Sequence, residues 1–316
     1  LGNKGDMLHH MIQEDMFHEF GFRRLVDAVN TLKVPYSVFK LPPFDHNVEV
    51  TEGLFPGGAK PTMVWGFTTV EEVVKKYGWV PGVFKNENFN HRVLNEKWGP
   101  MMLNEDGQFY KMGEVPSFEG ARFIRPVLDT KSFTGQLING DEFEKWREEL
   151  YALRHEYTTL DLNTEVMVAS PKQRIDEARF FVVDRKVVAG SMYRVDGRVL
   201  YKEIGNDTPL YKPMWEWAQA HCHGDRVPGT SMFTLSTQGW TPCEAFVMDV
   251  ARVAPETFKI IEINCINTAG FYDCNMTQVV KAIENLKPWP GTWRGTPWFD
   301  ERTEKAVSEW KASLGA

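Results

Sequence analysis

Asp249, Glu262 and Asn264 are the residues of this 316-residue chain whose types and spacing best suit chemistry. Asp249 lies in one short apolar run that begins at Phe246, and Glu262 and Asn264 lie in the next. Between them Ala254-Pro-Glu-Thr257 carries the proline and polar residues of a hairpin turn. Side chains alternate along a strand, so Glu262 and Asn264 share one face while Ile261 and Ile263 take the other. If the two runs pair, Asp249 joins them in a cluster of hard oxygen ligands. Such a cluster suits Mg2+, which takes one or two protein carboxylates and keeps water and phosphate in its other positions. A hairpin with solvated acids on its outer face has the same spacing, so both readings stay open here.

Three features precede this hairpin. The segment Ile124-Arg-Pro-Val-Leu-Asp-Thr-Lys-Ser-Phe-Thr-Gly135 places Arg125 and Lys131 where they can reach polyphosphate, and Gly135 permits a close backbone approach. An ordinary surface loop with two cations is the alternative. Glu165 to Pro171 is an apolar strand ending in a small-residue linker, whose backbone groups can read a purine edge. Ile175 to Val183 and Val187 to Arg194 then carry Arg179 and Arg194 on strands facing the same region. Arg252, close to Asp249 in sequence, and Asn267, beyond the second strand, are candidates for phosphate or substrate contact or for a structural part.

The elements that must position these residues follow from periodicity. Apolar spacing predicts a helix over about 14–32, a strand over 35–41, a loop over 53–62, a helix over 68–77 and a strand over 82–85. A less regular stretch spans 86–119. Strands are expected over 121–126, 136–138, 165–169, 178–183 and 186–193, and helices over 141–153, 213–221 and 276–286.

The chain has 42% hydrophobic and 25% charged residues, as in a soluble globular protein, and is long enough for two or three lobes. Its net charge of −7 gives no indication of a general nucleic-acid surface. No apolar run reaches membrane-span length and no signal pattern is read. The 4 cysteines, Cys222, Cys243, Cys265 and Cys274, are too few and too unevenly spaced for a disulfide framework, so a cytoplasmic setting is expected.

The order of these features is similar to that of the ATP-grasp superfamily. Arg125-Pro126 stands where many members have Lys-Pro before the phosphate loop, and Val168-Ala-Ser170 stands at the adenine linker. The pattern Arg-Pro-x-x-Asp-x-Lys-x-Phe-x-Gly at 125–135, with Glu177-x-Arg179, Glu262-x-Asn264 and Gly270-Phe-Tyr272, resembles the clade named for two arginines and a lysine. The likeness runs from about Val80 to Leu286.

The resemblance implies an α+β protein. An N-terminal α/β lobe over 1–79 precedes a central lobe over 80–164 and a C-terminal lobe over 165–286, with a Pro/Trp-rich segment over 287–316. It implies an ATP- and Mg2+-dependent ligase joining a carboxylate to an amine through an acyl phosphate. Asp249, Glu262 and Asn264 would hold metal. Arg125, Lys131, Arg179, Arg194 and Arg252 would serve catalysis. Arg125, Lys131, Phe133, Gly135, Val168, Ala169, Ser170 and Arg179 would contact nucleotide. A small-molecule kinase and a non-catalytic nucleotide- or partner-binding protein are the alternatives. The linker lacks the common acid for the adenine amino group, which leaves that work to backbone carbonyls. Gly53 to Thr62 lacks the Gly-Lys-Ser/Thr ending of a phosphate loop, and His221-Cys-His223 lacks paired metal-ligand spacing.

Overall fold

The computed structural model describes residues 7–286 except 43–44, 58–60, 129–132, 153–160, 227–232 and 235–238. Three main sheets are built in chain order. The first contains β1 (His9–Gln13), β2 (Tyr36–Lys40), β3 (Glu49–Glu52), β4 (Thr62–Trp65) and β5 (Pro81–Gly82), ordered β3-β2-β1-β4-β5. β1 runs parallel to β2 and β4, as β4 does to β5, while β3 is antiparallel to β2. The crossovers are α1 (Arg23–Leu32) and α2 (Val70–Tyr77). Each buries one apolar stripe: Leu25, Ala28 and Val29 on α1, and Val70, Val73 and Val74 on α2. After α3 (His91–Trp98) comes the second sheet, with β6 (Gln108–Lys111), β7 (Ala121–Pro126), β8 (Gln136–Asn139) and β9 (Glu165–Ala169), ordered β6-β9-β7-β8, and α4 (Phe143–Ala152) between β8 and β9.

The third sheet is wholly antiparallel. It holds β10 (Asp176–Val183), β11 (Lys186–Val195) and β12 (Arg198–Ile204). After α5 (Lys212–His221) and a short ribbon of β13 (Asp225–Arg226) and β14 (Phe233–Thr234), β15 (Ala245–Ala254) and β16 (Thr257–Cys265) complete it, followed by α6 (Met276–Glu284). The order is β12-β11-β10-β15-β16. No helix among the described residues is long and apolar enough to cross a membrane.

Several elements differ from the sequence-based expectation. The 14–32 helix is a single turn over Glu14–His18 and then α1. They are separated at Gly21, whose φ is +81° and where an added Cβ would lie 2.0 Å from the Tyr272 carbonyl oxygen. β1 was not expected, because it is buried throughout and shows no alternation. The irregular 86–119 stretch contains α3 and β6, the expected 82–85 strand shrinks to β5, and β12 is an additional edge strand. Residues 287–316 lie outside the described residues.

The apolar core divides unequally. One continuous cluster joins the first sheet, α1, α2 and α6 to the third sheet, through residues such as Trp65, Phe181, Phe271 and Val280. The second sheet has its own small cluster of Met112, Val115, Ile124, Ile138, Phe143, Val166 and Val168. Polar ties reinforce the larger body. Trp65 Nε1 donates to His10 Nδ1 at 2.9 Å, which fixes the tautomer so that His10 Nε2 donates to Glu284 on α6 at 3.0 Å. The other Glu284 oxygen accepts from the Leu8 amide at 3.4 Å. Replacing Glu284 by alanine strands both donors in a dry interior. Glu284→Ala is expected to lower unfolding stability by about 3 kcal/mol and Glu284→Gln by less, read from urea denaturation midpoints.

Candidate active site

The register of the third sheet sets three groups in one row. Arg179 on β10 lies opposite Asp249 on β15, and Asp249 lies opposite Glu262 on β16. Arg179 donates through Nε and Nη2 to the two oxygens of Asp249, both at 2.8 Å, and through Nη1 to the Gly270 carbonyl at 2.9 Å. Its guanidinium also lies 4.7 Å from the Tyr272 ring centre. Asn264 Nδ2 is 3.3 Å from Asp249 Oδ2 and 3.1 Å from Glu262 Oε1, so the two acids and the amide converge. From the second sheet Arg125 Nη1 reaches Glu262 Oε2 at 2.6 Å. The row therefore spans the cleft between two sheets.

Charge in this row is balanced pair by pair. Burial raises the Asp249 carboxyl above its usual value; Arg179 pulls it down, while Glu262 and Glu177 add to the rise. Burial also pushes Glu262 upward, but the Arg125 charge and the Asn264 hydrogen bond outweigh it and hold the carboxyl at about 2. Arg179 is buried, yet Asp249 keeps its pKa raised.

The second sheet supplies the other wall. Arg125 and Met167 are paired on β7 and β9, and their side chains share the cleft face. Gly135 sits against that face: a Cβ there would meet Phe123 Cζ at 2.7 Å and Arg125 Cβ at 3.1 Å. Phe133 is turned to the lobe's own core, edge-on to Trp146 at 5.5 Å, and fastens the end of the loop. Lys131 lies outside the described residues. Val168 points into the same small core, and the Ser170 amide donates to Asp106 Oδ2 at 3.0 Å. Asp106 also pairs with Lys172 at 2.8 Å. An acid therefore does reach the linker, from the turn before β6. A cavity of about 280 Å3 behind the linker is lined by Gln108, Tyr110, Arg122 and Val168. These side chains lie on the sheet face opposite Arg125 and Met167, away from the row.

With this geometry in view, the sequence matches a family model over residues 76–283, well over half of the chain. The model describes the ATP-grasp domain of family 3 in the clade named for two arginines and a lysine. The chain belongs to this ATP-grasp family. Among solved structures, D-cycloserine synthetase DcsG is similar with a TM-score of 0.50 at 10% identity, over 88% of this chain and 99% of that one. The D-alanine–D-alanine ligase of Bacillus anthracis gives a TM-score of 0.47 at 12% identity, over 97% of this chain and 99% of its own. No curated protein matches the sequence. At these identities the structural likeness concerns the fold.

The remaining arginines separate. Arg252 is three residues beyond Asp249 and emerges on the opposite sheet face, where Nε bonds Asp176 Oδ2 at 2.7 Å. It is paired across β16 with Phe258, whose ring packs against Trp217 of α5, so it does not join the row. Arg194 stands 3.6 Å from Glu177 and belongs to the neighbouring row. Asn267 is structural: it donates to the Val64 carbonyl at 2.6 Å and accepts from the Phe84 amide at 2.8 Å.

His91, at the start of α3, was not singled out from the sequence. It is buried with Nδ1 lacking a hydrogen bond, and Arg125 Nε lacks one too. Burial, and then the Arg125 charge, push the imidazole well below its usual value. The helix-capping Asn90, which accepts from the Arg92 amide, was the available sequence signal for α3.

The sign of the Glu262 shift sets an acid limit. Its folded value of about 2 lies below the ordinary 4.5. Its contribution to stability is therefore complete above the unfolded value and is lost as pH falls toward the folded one. Urea midpoints of the parent protein and Glu262→Gln should differ by a constant amount above about pH 5 and converge between 4.5 and about 2.

Proposed function

We propose that this enzyme activates a substrate carboxylate with Mg–ATP as an acyl phosphate and passes the acyl group to an amine. The row Arg179–Asp249–Glu262–Arg125, closed by Asn264 between two sheets, is the observation that carries this reading. Two carboxylates and an amide oxygen form the hard donor set that Mg2+ prefers. A half-turn of the Asn264 amide exchanges its nitrogen for its oxygen. When bound, the metal would offset charge on the ATP phosphates.

The protein groups then divide the work. Arg125 Nε and His91 Nδ1, both buried without hydrogen bonds, are available at the phosphate side of the cleft. Neutral His91 acts there as a polar contact rather than a second cation, since its pKa is held low. We assign Lys131, four residues before Gly135 in sequence, to the phosphates as well. Arg179 is oriented by Asp249, Gly270 and the Tyr272 face, and places a fixed positive charge beside the acids. Adenine would lie along the linker at Val168, Ala169 and Ser170.

In the first step a carboxylate oxygen attacks the γ-phosphorus and ADP leaves. In the second, the amine nitrogen attacks the acyl carbon, the C–O bond to phosphate breaks, and the amine gives up a proton. Positioning and electrostatics carry both steps without a protein nucleophile. We also propose a cytoplasmic setting, on the small number and uneven spacing of the cysteines.

Mg–ATP is expected to raise the melting temperature, and turnover should release ADP and phosphate in step with amide formation. Hydroxylamine should trap the acyl intermediate as a hydroxamate. Glu262→Gln and Arg179→Lys should each lower kcat by roughly 10²–10³-fold. Release of AMP and pyrophosphate would contradict the acyl-phosphate route, and a stable phosphorylated product without amine would indicate a kinase.

A further inference from the structure

A second row of polar groups lies beside the first, toward β11 and β12. Glu177 precedes Arg179 by two residues on the same face of β10, about 7 Å along the strand, and is 3% exposed. One of its oxygens, Oε2, accepts from the Tyr193 hydroxyl at 2.7 Å. The other, Oε1, has no hydrogen bond. Arg174 Nη1 and Arg194 Nε stand 3.3 and 3.6 Å from it, and the Arg194 Nε is itself buried without a hydrogen bond. A register shift between Met192 and Arg194 allows adjacent residues, Tyr193 and Arg194, to reach the same carboxylate. Two cations around one anion leave a positive excess, and both arginine side chains are partly open to solvent, at 38% and 40%.

An aromatic file borders this row. Tyr193 stacks on Tyr272 at 5.2 Å, Tyr272 on Tyr201 at 5.0 Å, and Tyr201 on Phe20 at 4.6 Å. The file starts at Tyr193, the partner of Glu177, passes through Tyr272, whose ring faces Arg179, and ends in the loop after β1. Tyr201 is 37% and Phe20 51% exposed, so its outer end is an open apolar wall. Phe20 is held there by the close approach of Gly21 to Tyr272 and by the ion pair of Arg24 with Asp273. That loop leaves the carboxyl end of the first sheet, where strand order reverses between β2 and β4 on either side of β1. Open parallel sheets place ligand crevices at this point.

We propose that Arg174, Glu177 and Arg194, with the wall Tyr193–Tyr272–Tyr201–Phe20, form the subsite of the amine substrate. That amine carries a carboxylate of its own and an apolar or aromatic side group, as an α-amino acid of the phenylalanine kind does. Its carboxylate meets the open edges of Arg174 and Arg194. Its nitrogen lies by Glu177 Oε1, on the side of the acyl phosphate, and its side group lies along the wall. The assignment rests on the ligase reading and gives the N-terminal lobe a part in substrate selection through Phe20.

The test is calorimetric titration of the full chain with Mg–AMPPNP present, using DL-phenylalanine, 2-phenylethylamine and 3-phenylpropionate as probes. DL-phenylalanine is expected to bind at least tenfold more tightly than either single-function probe. Arg194→Gln and Arg174→Gln should each remove that advantage, Arg194→Lys should restore part of it, and Tyr201→Ala should weaken phenylalanine without changing the preference for a carboxylate. A melting-temperature rise with Mg–AMPPNP serves as the fold and nucleotide control for every variant. Equal binding of the three probes, no phenylalanine binding, or an advantage that survives the double Arg174→Gln, Arg194→Gln substitution would overturn the assignment. Loss of the Mg–AMPPNP shift in the parent protein would instead strike at the ATP reading itself.

Discussion

Asp249 and Glu262 face each other across one antiparallel pair, and this juxtaposition of like charges constrains much of the structure. Two close carboxylates cannot both stay ionised in a buried place without compensating charge. Here each has its own guanidinium, and the two arginines come from different sheets. Arg179 is supplied by β10, directly beside β15, so Asp249 is neutralised within the third sheet. Arg125 arrives from the second sheet, so among the described residues the charge of Glu262 is met across the cleft. The strand order of the third sheet and the approach of the second sheet are thus linked to one electrostatic requirement.

A second, uncharged constraint holds the acids in place. The chain leaving β16 turns at Asn267, which is fully buried and bonds to the backbone at Val64, Gly82 and Phe84, while its carbonyl accepts from Gly66. One side chain therefore satisfies backbone groups on β4, on β5 and beyond it that would otherwise be stranded in the interior. The segment that follows carries Gly270 and Tyr272, the two contacts that orient Arg179 besides Asp249. Position at the acids is inherited in this way from the first sheet, far away in sequence.

What could be read from the residues follows from the range of each interaction. The convergence of Asp249, Glu262 and Asn264 depends on alternation and one hairpin, both local, and it is present. The same alternation applied to Arg252 would have placed it on the other face from Asp249, where it pairs with Asp176; nearness in sequence was the weaker guide. The hairpin and the helices with one apolar stripe were legible because their periods are short. β1 was not, since a strand buried on both faces has no alternating pattern, and its histidines gain their partners only in the fold. Glu177, His91 and Asp106 take their meaning from groups brought in by other elements, and no spacing announces that.

The division of the apolar core has a mechanical meaning. The first and third sheets share one continuous interior, so displacing one against the other would open a large dry contact to water. The second sheet has an apolar interior of its own, which among the described residues holds seven buried side chains. The Arg125–Glu262 pair joins this smaller body to the larger one across the cleft. Because the two interiors are separate, a change of spacing at this pair would cost far less apolar contact than a slip between the first and third sheets.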